Sequence, residues 1–485
     1  MRRTRRLLVL GLIVLQAVVH LGARAGWCQA AEPGRPNIVF LLTDDQRWDT
    51  LGCMGNKIIQ TPNVDRLAAG GVVFDNCFVT TSICMTNRAC IFTGQYAARH
   101  GVWSFDTDFT PAQLAQTYPA LLKQAGYYIG FIGKWGVGTP PRELFDYNRG
   151  WPGQNWYFQP VKGKDVLAYL DPRLSTSGRA TQDIGQVHLT ARMGQQAMEF
   201  LDGVPADRPF CLSLSFKAPH CQDGTPAFRQ FPYEPDLGGL YQDVVIPPAP
   251  LSAPAFFEAL PEFLRTSENR ARWKVRFATP EMYQHSVKSY YRLITGADRV
   301  IGRIVEKLKQ KGIEDNTVIL YTGDNGFYLG ERGFAGKWFP HEVSIRVPLV
   351  VYDPRLPSGR RGKRCDQTVL SIDLAPTMLA MAGVKTPERM QGESLLPLIR
   401  GEQPPWRSEF FYEHLFRHAS IPRSEAVRDQ RYKYIRFLDS DPLYEELYDL
   451  SADPDEAHNL TGKPEHAATL QRMREKWQVW RQRAK

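Results

Sequence analysis

The chain has 485 residues, 43% of them hydrophobic and 23% charged. That balance excludes a disordered or fibrous chain, and the length allows a large core with more than one folding unit. Five arginines and no acid fall within residues 1–31, so the formal charge of +9 drops to +4 without them, an ordinary surface excess; no nucleic-acid partner is expected.

Residues 1–31 read as a signal peptide. Arg2, Arg3, Arg5 and Arg6 form a basic start, Leu7 to Leu21 an apolar stretch, and Ala23-Arg24-Ala25 and Cys28-Gln29-Ala30 are both candidate cleavage sites. The apolar stretch is short and broken by Gln16 and His20, which argues against a retained membrane anchor. An exported protein, periplasmic or extracellular, is expected. Seven cysteines follow Cys28, an odd number, so at least one thiol is unbridged.

Two apolar runs then end abruptly in acidic or amide residues. Asn37 to Thr43 leads into Asp44-Asp45, and Thr317 to Gly323 into Asp324-Asn325. Such runs read as buried strands. In a parallel sheet ligands gather outside the carboxyl ends of the strands. Three carboxylates and an amide would meet there, a hard oxygen site suited to Ca²⁺ or Mg²⁺. Tyr128 to Gly133 ends in Lys134, and Phe210 to Phe216 ends in Lys217-Ala218-Pro219-His220. Val347 to Tyr352 is a further core strand. Between them, Tyr290 to Lys309 carries Tyr290, Ile294, Ala297, Ile301, Ile304, Val305 and Leu308 on one helical face. The alternation predicts a three-layer α/β/α sandwich around a large, mostly parallel sheet.

Residues 221–280, rich in Pro, Phe and Tyr, predict a long surface excursion. Texture changes after residue 400. Tyr432 to Ile435 and Glu446 to Leu450 read as strands of a smaller antiparallel unit. A last helix sets Leu470, Met473, Trp477 and Trp480 on a docking face. The division expected is 32–400 for a catalytic domain and 401–485 for a small α+β subdomain.

Ser82 to Gly94, with Cys84-Met85-Thr86-Asn87-Arg88 at its start, resembles the nucleophile segment of the sulfatase family. In that family a C-x-P-S-R motif precedes a helix and a Thr-Gly, and its Cys is oxidised to formylglycine. Other parts of the resemblance follow in order along the chain: Pro36 to Val39 before Asp44-Asp45, Thr61-Pro62-Asn63, Gly133-Lys134-Trp135, Ala218-Pro219-His220, Asp324-Asn325-Gly326, Lys337, Arg346 to Leu349 and Glu446 to Leu450. It implies an alkaline-phosphatase-like fold and a sulfuric ester hydrolase. By the same likeness Asp44, Asp45, Asp324, Asn325 and modified residue 84 ligate Ca²⁺, with Mg²⁺ the lesser candidate. Arg88 holds the hydrated aldehyde, Lys134 and Lys337 neutralise the sulfuryl oxygens, and His220 serves the leaving alcohol. A formylglycine-generating enzyme is then a partner during maturation.

The chain departs from the family pattern twice. Thr86 and Asn87 stand where Pro or Ala and then Ser are usual, and Gly136 stands where most members have a His that helps deprotonate the diol. His341 and His100 are candidate substitutes. The expected substrate is a sulfated carbohydrate, for which Trp151, Trp156, Tyr157 and Phe158 offer stacking faces, although core packing explains such aromatics equally. Two rival readings stand beside it: phosphodiester or phosphonate hydrolysis on the same fold, and a lapsed homologue that binds anionic glycans.

Overall fold

Residues 34–160 and 186–485 are described in the computed structural model; the signal-peptide expectation for 1–31 lies outside them. The central sheet has eight strands: β1 (Asn37–Asp44), β2 (Val72–Phe78), β3 (Tyr128–Lys134), β4 (Tyr147–Trp151), β5 (Phe210–Pro219), β6 (Thr317–Gly323), β7 (Arg346–Tyr352) and β8 (Lys363–Leu370). They lie in the order β8-β2-β7-β6-β1-β5-β3-β4. Only β7 runs antiparallel to its neighbours. Helices cover both faces of the sheet, which is why β1, β5 and β6 are near-continuous apolar runs rather than alternating ones.

On one face pack α1 (Pro62–Gly70), α4 (Leu189–Gly203) and α6 (Pro280–Gln310); on the other lie α2 (Cys84–Thr93), α3 (Tyr118–Gln124) and α7 (Leu374–Met381). The three-layer expectation holds. α6 starts ten residues before the apolar stripe read from the sequence. Pro280 occupies its first turn, and the Thr279 hydroxyl accepts the Met282 N–H at 3.2 Å. The stripe marks the buried face of this helix, and the cap marks its end.

Residues 221–280 include α5 (Glu268–Arg276), a helix with no apolar stripe to betray it. The smaller sheet is antiparallel and four-stranded: β9 (Glu409–His414), β10 (Ser424–Asp429), β11 (Tyr432–Phe437) and β12 (Tyr444–Asp449). α8 (Ala467–Arg483) covers it with buried Leu470, Met473 and Trp477; Trp480 is half-buried. This sheet joins the main body through Phe410, whose ring stacks on Phe78 at 5.0 Å, and through Tyr412, whose hydroxyl donates to the Trp338 carbonyl at 2.5 Å. The seven cysteines among the described residues are all free thiols. No helix among those residues is long and apolar enough to cross a membrane.

Candidate active site

The register of β1 against β6 sets Thr43 beside Gly323, so both strands end at one level. Asp44 closes β1, and Asp324 begins the turn after β6, its N–H bonded to the Thr43 carbonyl at 2.9 Å. Asp45 takes a left-handed backbone (φ +63°), which Asp tolerates better than most residues. Its N–H donates to Asp324 Oδ1 at 3.0 Å, and its carbonyl accepts the Tyr290 hydroxyl at 2.6 Å. Asn325 Nδ2 donates to Asp45 Oδ1 at 2.7 Å. The four residues expected at the strand ends therefore meet, and all are buried.

Cys84 is the first residue of α2 and is also buried. One ligand atom from each of Asp44, Cys84 and Asp324 lies within 4.8 Å of the others. One turn along, Arg88 puts Nε on Asp324 Oδ2 at 2.9 Å and NH1 on the Lys134 carbonyl at 2.7 Å. Its NH2 lies 2.8 Å from Asp324 and 3.5 Å from Asp44. Lys134, the last residue of β3, holds Asp44 Oδ2 at 2.6 Å. Lys337 pairs with Asp45 and lies 4.0 Å from Asp44. His220, just past β5, sits 3.4 Å from Asp45 Oδ2. Every residue expected in the site is brought to one place.

The acceptors are not all used. Asp44 Oδ1 and Asn325 Oδ1 are buried without a hydrogen-bond partner among the described residues. Buried orphan oxygens of this kind are costly unless a donor or cation meets them. Hard oxygens beside Asp324 and residue 84 fit a divalent cation of the Ca²⁺ or Mg²⁺ type.

Charge within the site is tightly balanced. Burial opposes ionisation of Asp44, yet Lys134, His220, Arg88 and Lys337 outweigh it and hold its pKa well below the ordinary value. Burial and repulsion from Asp44 push Asp324 up to about 6. Burial also works against charge on Lys134, Lys337 and Arg88, but the neighbouring carboxylates keep each pKa above its usual level. Burial holds His220 down at about 4 against Asp45 and Asp44, so its ring is neutral at pH 7. Its Nδ1–H donates to the Cys221 carbonyl at 2.7 Å, which leaves Nε2 to face Asp45.

The two candidate substitutes for a histidine at 136 are engaged elsewhere. His100 Nε2 lies 3.3 Å from Cys90 Sγ, and its Nδ1 accepts the Val102 N–H. His341 sits between the Tyr328 hydroxyl at 2.5 Å and Glu446 Oε2 at 3.0 Å. Gly136 itself lies beneath the Arg88 side chain. Of the aromatic set, Trp156 is exposed, whereas Tyr157 is buried with its hydroxyl on the His220 carbonyl.

Sequence reasoning missed three contributors. Gln154 Nε2 reaches Asp44 Oδ2 at 3.2 Å from an aperiodic loop. Lys217, lowered to about 8 by burial, donates to Gln222 Oε1 at 3.0 Å and to the Asn155 carbonyl, bracing that loop. Asn87 was visible only as a departure from a motif. Its Nδ2 donates to the Asp324 carbonyl at 2.5 Å, and its Oδ1 accepts the Ser371 hydroxyl at 2.7 Å. Asn87→Ala strands both buried groups and should lower stability by about 1–3 kcal/mol, read as a lower thermal midpoint.

The layered sheet with this oxygen cluster at its strand ends defines an alkaline-phosphatase-like α/β enzyme. The chain belongs to the sulfatase family, whose profile matches residues 36–384; that of the N-sulphoglucosamine sulphohydrolase C-terminal region matches 330–483. An N-acetylglucosamine-6-O-sulfatase of Bacteroides thetaiotaomicron is 31% identical over 493 residues, covering 90% of this chain and 85% of that relative. The solved structure of BT4656 with its substrate D-glucosamine-2-N,6-O-disulfate matches with a TM-score of 0.72 at 26% identity, covering 93% of this chain and 98% of the other. A phosphonate monoester hydrolase of Agrobacterium radiobacter matches with a TM-score of 0.68 at 24% identity, covering 93% and 96%, a likeness of fold.

Proposed function

We propose that this chain is an exported sulfatase that removes sulfate from a sulfated carbohydrate, using formylglycine made from Cys84 and a bound Ca²⁺. The observation that carries this reading is the meeting of Cys84 with Asp44 and Asp324 inside a ring of Arg88, Lys134, Lys337 and His220. Asp44, Asp45, Asp324, Asn325 and residue 84 would hold the cation. Such a cation would polarise sulfuryl oxygens and would make a hydroxyl of the hydrated aldehyde at residue 84 more acidic.

The chain's own residues do the remainder. Three carboxylates face three fixed cations, so a divalent ion leaves the pocket net positive for an anionic ester. Lys134 and Lys337 are point charges where negative charge gathers. Arg88 ties Asp324 to the Lys134 carbonyl and so fixes the spacing of β6 from β3. His220 can protonate the leaving alcohol only when it carries a second proton, which the Asp45 carboxylate favours.

The amino-sugar relatives make an N-acetylglucosamine 6-sulfate ester the first substrate to try. The test is sulfate release by protein made with the maturation machinery, alongside peptide mass spectrometry of residue 84. An aldehyde at 84 is expected, with activity lost to a chelator and restored by Ca²⁺. Turnover of phosphonate monoesters without sulfate esters, or activity with an intact thiol, would overturn the proposal.

A further inference from the structure

The small subdomain meets the candidate site through its edge strand β9. Three residues of β9 hold the stretch that leads from β2 to Cys84. Phe410 stacks on Phe78 at 5.0 Å, the Glu413 N–H donates to the Thr80 carbonyl at 3.0 Å, and the Tyr412 hydroxyl accepts the Ser82 N–H at 3.2 Å. The same hydroxyl donates to the Trp338 carbonyl at 2.5 Å. A third bond closes the ring, since the Trp338 N–H donates to the Ser82 carbonyl at 3.1 Å. Tyr412, Ser82 and Trp338 are all buried. Burial pushes the pKa of the Tyr412 phenol up, so the proton it donates stays in place.

This ring joins two sides of the site. Ser82 stands two residues ahead of Cys84, and Trp338 follows Lys337, whose ammonium pairs with Asp45. Trp338 takes a left-handed backbone (φ +83°), a conformation costly for a residue with a bulky side chain. Such strain persists only where the surroundings over-determine it, and here they do. Asn269 of α5 donates to the Lys337 carbonyl at 2.7 Å, and the Arg272 guanidinium lies 4.9 Å from the centre of the Trp338 ring. The bonds to Ser82 and Tyr412 add to these restraints. Phenylalanine at 412 would strand the Ser82 N–H and the Trp338 carbonyl in the interior, and would loosen the strained turn beside Lys337.

We infer that Tyr412 is a positioning residue for the reaction: its hydroxyl fixes the nucleophile segment against the Lys337 segment, and so sets where residue 84 stands relative to the Lys337 ammonium. The small subdomain is then a working part of the catalytic centre, although none of its residues enters the pocket. The inference rests on the sulfatase reading and deepens it, because alignment of a nucleophile with the charge that meets the sulfuryl oxygens is what such a site needs.

The test compares Tyr412→Phe with Tyr434→Phe in the full chain, with rates expressed per aldehyde at residue 84. Tyr434 lies on the opposite face of the small sheet, where its hydroxyl donates to Glu445, so its loss removes a hydrogen bond without touching the ring. Tyr412→Phe should lower kcat for sulfate esters about 100-fold, the cost of an ångström-scale misplacement, with KM little changed. Tyr434→Phe should lower the thermal midpoint and keep the parent kcat. A parent-like kcat in Tyr412→Phe, or equal losses of kcat in both variants, overturns the inference. Hydrogen exchange read by mass spectrometry follows the ring without turnover. Tyr412→Phe should quicken exchange in peptides that contain Ser82 and Trp338, and Tyr434→Phe should not. Unchanged exchange there overturns the inference whether or not the chain hydrolyses anything. A parent that cleaves no sulfate ester, while the exchange difference holds, would sink the sulfatase reading and leave Tyr412 as the link between the two segments.

Discussion

Replacing Cys84 with alanine is expected to reduce kcat for sulfate esters by about 10⁵-fold, a loss far larger than any change in substrate affinity from removing one ligand of the cation. The side chain sits at the first turn of α2 and supplies none of the hydrogen bonds that hold Arg88, Lys134, Lys337 or His220. Trimming it removes the nucleophile and leaves the charges that grip the anion. Asp324→Ala is the contrasting variant. It takes away the carboxylate that meets Arg88 at 2.9 Å and 2.8 Å, leaving a wholly buried cation without its main partner. That loss should lower stability by about 3–5 kcal/mol. Cys84→Ala should therefore keep a thermal midpoint close to the parent, and Asp324→Ala should not. Equal falls in stability would mean that residue 84 acts as packing. Sulfate release by Cys84→Ala at the parent rate would remove it from the chemistry altogether.

How much of this was legible in the sequence follows from what each residue type encodes. β1 and β6 announce themselves because strands covered on both faces lose their polar alternation, and the acids that end them mark the edge of the sheet. The direction of β7 was not legible, since an apolar run reads the same whichever way the strand points. α5 was hidden for the opposite reason. Its residues Glu-Asn-Arg-Ala-Arg-Trp-Lys-Val-Arg make no apolar stripe, and it is held by polar contacts such as Asn269 to the Lys337 carbonyl and Arg276 to Gln230. The site charges Lys134, His220 and Lys337 were found by their order in a family pattern. No local signal marks them, because a lysine or histidine at a strand end reads the same when solvated. Gln154 has neither period nor motif, and only the folded loop brings it to Asp44.

Gly136→His, which restores the residue usual in the family, is expected to lower activity here rather than raise it. Gly136 has φ +81°, and a Cβ placed on it would meet Arg88 Cδ at 2.5 Å. Arg88 cannot readily yield, because its guanidinium is held by Asp324, the Lys134 carbonyl and Ser215. A β-carbon in this left-handed conformation adds about 1–2 kcal/mol of strain, and overpacking adds about 1–3 kcal/mol. If relief comes from displacing Arg88, the pair with Asp324 is broken, and turnover should fall about 100-fold, equivalent to some 2.7 kcal/mol of barrier. Gly136→Ala separates the causes, since it adds the β-carbon without the imidazole and should already show most of the loss. A faster Gly136→His enzyme would mean that Arg88 gives way freely and that proton removal from residue 84 limits the native reaction. A slower one, matched by Gly136→Ala, would mean that glycine and the arginine above it act as one unit, with the pocket built around the guanidinium.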